Sequence, residues 1–234
     1  MAHEVNWTKE KAALFWDYCG YLYQKKPSFS KRFGEALLRI VEKRIPIQGV
    51  ALDYGCGEGF LMDGLLKRKI SCFGADASER ALLSAAERLK GNPFFKGVFP
   101  ADLPLKLGNE FINTVFLIET IEHITPDQFD FTIKEIRRVL KPGGYFVIEA
   151  HNEEPLDSGK MICPDCGGVF HRMGHLRSFS QDTLIELMQK CGFKKEFCLA
   201  ASFRQKTIGG RIREIFNKKS KKSSLIYIGK KYDK

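Results

Sequence analysis

The sequence predicts an α/β fold, an open and mostly parallel sheet with helices packed on it, and three observations carry that expectation. Val50, Ala51 and Leu52 end an apolar run. Asp53 follows, then Gly55, Gly57 and Gly59, then Phe60, Leu61, Leu65 and Leu66 at helical spacing: strand, glycine turn, helix. Phe111–Ile118 is apolar except for Asn113 and Thr114, as a central parallel strand should be. Strand-like and helix-like stretches alternate around these two.

The elements follow in order. Thr8 can cap a helix to about Tyr23, which Lys25-Lys26-Pro27 breaks, and a second helix spans about 31–44. After the glycine helix, residues 71–75 form a second strand ending in Asp76, 23 residues beyond Asp53. Ser78 caps a helix to about Lys90, and a third strand lies near 94–98. The strand at 111–118 ends in Glu119-Thr-Ile-Glu122-His123; Thr125-Pro-Asp-Gln128 has the form of a capping box with proline at N1, opening a helix to about Leu140. Lys141-Pro-Gly-Gly144 stops it before a fifth strand at 145–150. Ser180 caps a helix to about Lys190, and strands follow at 197–203 and 225–228. Between them Ile208, Ile212, Ile215 and Phe216 suggest one face of a short basic helix.

Charge is concentrated at one end. Of the net +10, residues 204–234 carry +9, eleven Lys/Arg against Glu214 and Asp233. The first 203 residues are nearly neutral, so nucleic-acid or membrane-surface binding is expected only of this segment. No 18-residue apolar run and no signal-peptide pattern are present, and an odd count of seven cysteines, with Cys19, Cys56, Cys72, Cys191 and Cys198 scattered, suits reduced thiols, so a cytoplasmic protein without a transmembrane segment is expected.

The glycine turn has neither the dinucleotide spacing nor the lysine of a phosphate loop. Asp-x-Gly-x-Gly-x-Gly resembles motif I of the class I S-adenosylmethionine (SAM)-dependent methyltransferases. The later succession of Glu-His, helix, Arg-Val-Leu-Lys-Pro-Gly-Gly and strand resembles their small-molecule group, including the ubiquinone-pathway O-methyltransferases. The resemblance implies a Rossmann-like seven-stranded sheet in the order 3-2-1-4-5-7-6. It implies SAM held by Asp53, Gly55, Cys56, Gly57, Gly59, Asp76, Ala77 and Glu119, with Asp76 on the ribose diol. The position of the usual adenine-binding acid is Phe99 here, leaving Asp102 as substitute. Catalytic candidates are His123, His151 and Glu122, at the carboxyl ends of strands four and five. Residues 1–46 are expected as cap helices, 47–203 as the cofactor-binding core with an inserted loop 152–178, and 204–234 as a basic segment completing the sheet.

The inserted loop has its own signal. Cys163, Cys166, His171 and His175, spaced C-x2-C-x4-H-x3-H, suit a structural tetrahedral zinc. In a rival assignment, Glu119, Glu122, His123 and His175 resemble the divalent-ion ligands of the small-RNA 2′-O-methyltransferases. The expected acceptor is a small molecule, a glycan or a lipid-linked compound, with RNA as the alternative. Residues 204–234 would meet an anionic membrane surface or RNA. A scaffold with a degenerate site is disfavoured by the intact Asp53, glycines and Asp76.

Overall fold

The computed structural model describes residues 1–23, 27–208, 211–216 and 223–232 of the 234-residue chain. The seven strands of its main sheet are β1 (Val50–Tyr54), β2 (Ser71–Asp76), β3 (Phe95–Pro100), β4 (Ile112–Ile118), β5 (Leu140–His151), β6 (Phe193–Ala201) and β7 (Ser224–Lys231). Their order is 3-2-1-4-5-7-6, with β7 antiparallel between β5 and β6 and the neighbours from β3 to β5 parallel. This is the Rossmann-like arrangement the sequence predicts.

The period-2 alternation of the strands divides the core in two. Leu52, Val115, Leu117, Phe146 and Ile148 face α5 (Pro126–Val139) and α6 (Gln181–Lys190). Ala51, Phe116, Ile118 and Val147 face the other side, with α2 (Phe29–Glu42), α3 (Phe60–Lys67) and α4 (Glu79–Leu89). Phe33, Leu37, Leu38 and Val41 make α2 part of this second layer, so it is a face helix and not a cap over the edge. Only α1 (Lys9–Tyr23) lies across the carboxyl ends of the strands, held by Lys9 to Asp102 (2.6 Å) and by Asp17, which accepts from Ser78 Oγ (2.7 Å).

Several local expectations change. Thr125 precedes Pro126 at the start of α5, but its hydroxyl is buried without a partner, so the capping box does not close. Ser180 makes the complete box, with Thr183. Strand β5 starts at Leu140, because Leu140 already pairs with Ile112. The predicted basic helix near 208–216 is an antiparallel hairpin, Phe203–Ile208 against Arg211–Phe216. Ile208 pairs with Arg211, so the sequence places Gly209-Gly210 between the strands, and Gly-Gly between the β-formers Thr207-Ile208 and Ile212 favours a hairpin over a helix. Lys218, Lys219, Lys221 and Lys222 lie outside the described residues. The insertion after β5 forms a second, three-stranded sheet in the order His3–Glu4, Gly168–His171, Lys160–Ile162.

One buried group works against this packing. Tyr227 in β7 is fully buried, and its hydroxyl has no hydrogen-bond partner. A stranded hydroxyl costs about 1–3 kcal/mol. Tyr227→Phe should therefore raise the thermal midpoint by roughly 2–4 °C per kcal/mol recovered. A lowered midpoint in calorimetry would contradict this account.

Candidate active site: a glycine cradle beside an acid–histidine cluster

The first half of the site is built from the ends of β1 and β2. After Tyr54 the backbone turns onto its neighbour, Gly55 N and Cys56 N both donating to Ala75 O (2.7 and 3.0 Å). The three glycines have different tasks. A Cβ on Gly55 would fall 2.1 Å from Thr120 Oγ1, so this glycine admits the turn that follows β4. Gly59 adopts the left-handed conformation (φ +78°) at the start of α3 and packs against Ala85 of α4. Gly57 (φ +51°) has nothing within 4 Å of the position its Cβ would take, so there the backbone is open to a ligand. Gly57 N donates to Asp76 Oδ2 (2.8 Å) and Ser78 N to Asp76 Oδ1 (2.9 Å). Asp76 thereby joins the glycine turn to the N-terminus of α4.

Burial raises the Asp76 carboxyl. Burial, with Asp76 second, pushes Asp53 up to about 8. Asp53 is 2% exposed and so shares a desolvated acidic corner with Asp76. Cys56 is buried beneath the turn and Ala77 is exposed beside it. Asp102 is engaged by Lys9, while Phe99 packs into the core against Phe73 (6.4 Å between rings).

The second half is formed by the ends of β4 and β5 and by the insertion. Glu119 takes a left-handed φ of +49° while its N–H donates to Glu149 O (2.8 Å). The turn that follows is closed by His123 N donating to Thr120 O (3.0 Å), and it delivers Glu119, Glu122 and His123 together. Strand β5 adds Glu149 and His151, and the insertion adds Glu154, His171 and His175. His151 Nδ1 lies 3.4 Å from Glu119 and 3.5 Å from Glu122. His175 Nδ1 contacts Glu154 closely, and the His175 ring lies 4.6–4.9 Å from those of His171, His123 and His151. His123 Nδ1 is 3.1 Å from Gly174 O, which can only accept, so the ring's Nε2 is left with its lone pair.

Three overlapping trios bring their ligand atoms within 4.8 Å of one another: Glu122, His123 and His175; His151, Glu154 and His175; Glu119, Glu122 and His151. Glu122 is 1% exposed, and neither carboxylate oxygen has a hydrogen-bond partner. Buried charge is costly, and the His151 ring, 3.5 Å away, offsets part of that cost as a bound cation would. Burial, then Glu149 and Glu122, drives Glu119 well above the carboxylate range, and burial raises Glu149 to about 8. Burial also works against ionised Glu122, but the His151 and His123 rings outweigh it and hold its carboxyl below the usual range. Glu122, ahead of Glu119, pushes His151 up to about 9, whereas burial lowers His123 to about 4.

The sequence places Glu119, Glu122, His123 and His151 at one sheet edge, and the structure brings them together there. The four-ligand zinc set does not assemble. The strand Gly168–His171 advances about 3.3 Å per residue and carries the histidines away from the cysteines. His171 and His175 turn into the acidic cluster, and among the described residues neither Cys163 nor Cys166 belongs to a group of three close ligands. Sequence reasoning missed Glu149, Glu154 and Asp17. Glu149 had a signal, a lone acid inside the apolar run of β5; Glu154 and Asp17 had none.

Residues 52–148, about two-fifths of the chain, match the family described as Methyltransferase domain. A curated relative, the ubiquinone biosynthesis O-methyltransferase of Sinorhizobium medicae, is 28% identical over 160 residues, 64% of this chain and 63% of the relative. The chain thus spans less than two thirds of that relative's length. Among solved structures, a SAM-dependent methyltransferase of Thermotoga maritima superposes with a TM-score of 0.65 at 19% identity, covering 94% of this chain and 99% of that one. The 1,6-didemethyltoxoflavin-N1-methyltransferase of Burkholderia thailandensis, solved with S-adenosylhomocysteine, gives 0.64 at 17% identity, covering 99% and 94%. These likenesses establish the fold, and the similarity to the methyltransferase-domain family runs over residues 52–148.

Proposed function

We propose that this chain is a SAM-dependent methyltransferase acting at oxygen or nitrogen of a small-molecule, glycan or lipid-linked acceptor. The observation that carries the proposal is the open backbone at Gly57, beside the buried Asp53 and the partly buried Asp76, within the domain that matches the family. These residues fit SAM: a Cβ-free turn for close approach, and Asp53 and Asp76 for a cationic ligand bearing hydroxyl groups. Asp53, Gly55, Cys56, Gly57, Gly59, Asp76, Ala77 and Glu119 would hold it, and its sulfonium supplies an electrophilic methyl group. The chain's own part is alignment and exclusion of water. Trp16 packs edge-on against His123 (4.5 Å), and α1 covers the cradle through Asp17 and Lys9. A small-molecule acceptor is favoured by the ubiquinone O-methyltransferase relatives.

Calorimetry should detect SAM and S-adenosylhomocysteine binding, lost in Gly57→Val. At pH 7 the ligand-free Asp53 largely keeps its proton, since its carboxyl stands near 8 against an ordinary 3.8. That shift costs the ligand-free fold stability as pH rises through this interval, because the unfolded chain gives up the proton first. A cationic ligand reverses the preference, so binding near pH 7 should release protons, the release fading above about pH 9 and vanishing in Asp53→Asn. Absence of binding to the unmodified protein would remove the proposal.

A second reading has an observation of its own. Glu122, His123 and His175 converge with Glu119 alongside, the set expected of a metal-dependent RNA 2′-O-methyltransferase. The donor set suits a divalent transition metal, with imidazole nitrogens and carboxylates and a carbonyl fixing one ring. Such an ion would act as a Lewis acid on an acceptor hydroxyl. Without it His123, the neutral imidazole, would have to serve as base at neutral pH, His151 being held in its protonated form there. Chelation and Glu122→Ala should each lower turnover by at least about 100-fold if the cation is used. Full activity in chelator would leave only the base mechanism.

The +9 of residues 204–234 supports an anionic partner, a membrane surface or RNA, although the amphipathic-helix basis for it is replaced by a hairpin. Co-sedimentation with anionic vesicles, beside RNA gel shifts across salt concentrations, should detect salt-sensitive binding to one of the two. Binding to neither at low salt would mean a solvated tail.

A further inference from the structure

The insertion contains two thiols that methyl transfer does not use. Cys163 and Cys166 flank a tight turn closed by Gly167 N donating to Cys163 O (2.9 Å) and Cys163 N donating to Gly168 O (2.8 Å). A backbone amide is aimed at one of the sulfurs, Gly168 N donating to Cys166 Sγ (3.4 Å). Neither cysteine is in a disulfide; Cys163 is partly exposed and Cys166 exposed. Amides directed at a C-x2-C pair favour thiolates, the ligand form for zinc.

The N-terminal strand brings a third donor to the same turn. His3 N donates to Gly167 O (3.1 Å) and Val5 N to Val169 O (2.9 Å), placing His3 opposite Gly168 in a parallel pair. A Cβ on Gly168 would lie 3.0 Å from Val5 Cγ2, 3.3 Å from Cys166 Sγ and 3.9 Å from His3 Nε2, so thiol and imidazole meet with a valine methyl over the glycine. The approach is close at the next glycine as well, where a Cβ on Gly167 would meet Met1 O at 2.8 Å. The His3 side chain is exposed, and among the described residues its Nδ1 contacts Met1 O at 3.4 Å, so the ring can rotate toward the sulfurs without disturbing the core.

We propose that Cys163, Cys166 and His3 bind a zinc ion that staples the N-terminal strand to the insertion, with solvent in the fourth position. The thiols surrender their protons as the ion binds. Three residues beyond the strand, Trp7 packs on Phe15 of α1 (5.3 Å) and Phe170 of the insertion (6.5 Å). The staple would thus set the seat of the helix that covers the cofactor edge.

Cobalt(II) titration of the reduced, metal-free full chain tests this independently of methyl transfer. Thiolate-to-cobalt charge transfer gives a near-ultraviolet band that carboxylate and imidazole ligands do not, so an ion in the acid–histidine cluster adds nothing to it. We expect the band to saturate at one cobalt per chain, to vanish in Cys163→Ser/Cys166→Ser, and to need at least about tenfold more cobalt in His3→Ala. No band in the unmodified protein, an unchanged titration in His3→Ala, or saturation at one cobalt per two chains in a dimer would each overturn the proposal. Loss of SAM binding would not bear on it.

Discussion

The Asp76 carboxylate is the joint on which the ligand end of the sheet depends. One oxygen takes the amide of Gly57, the other that of Ser78, so a single side chain sets both the glycine turn and the start of α4. The same helix start reaches α1, because Ser78 Oγ donates to Asp17. Turn, helix and lid are therefore linked through one acid at the end of β2. Asp53 lies in the same desolvated corner, and two acids there make it unfavourable until a cation arrives.

The ends of β4 and β5 follow the same logic with more groups. A parallel sheet covered on both faces has no room for charge along its central strands, so polar chemistry collects at their carboxyl ends. Glu119, Glu122, His123 and His151 come from the sheet, whereas Glu154 and His175 come from the insertion and close the cluster from above. Leu176 N donates to Glu122 O (2.8 Å), and Arg177 Nη1 donates to Ile121 O (2.9 Å) and Ile124 O (2.5 Å), binding the insertion to the turn that follows β4. The insertion is part of the site's wall, and its histidines serve the cluster.

Trp7, Phe15 and Trp16 connect the insertion, the lid helix and His123 in one chain of edge-on rings. Such contacts hold geometry without charge, beside a cluster crowded with titratable groups. An acceptor entering here would meet aromatic edges on one side and ligating groups on the other.

The sequence by itself determined the strand order through its succession of motifs, the glycine turn, and caps such as Ser78 and Ser180, since apolar period and turn chemistry act over a few residues. It also brought Glu119, Glu122, His123 and His151 to one edge, because the strands that carry them end together. Tertiary structure decided the rest. It separated His171 and His175 from Cys163 and Cys166, because an intervening strand fixes direction as well as distance. It added Glu149, Glu154 and Asp17 to the site, made α2 a face helix, and paired Phe203–Ile208 with Arg211–Phe216 where apolar residues also fitted a helical period. Spacing records how far apart residues lie along the chain; where their side chains meet depends on reversals and pairings between segments remote in sequence, such as His3 beside Gly168.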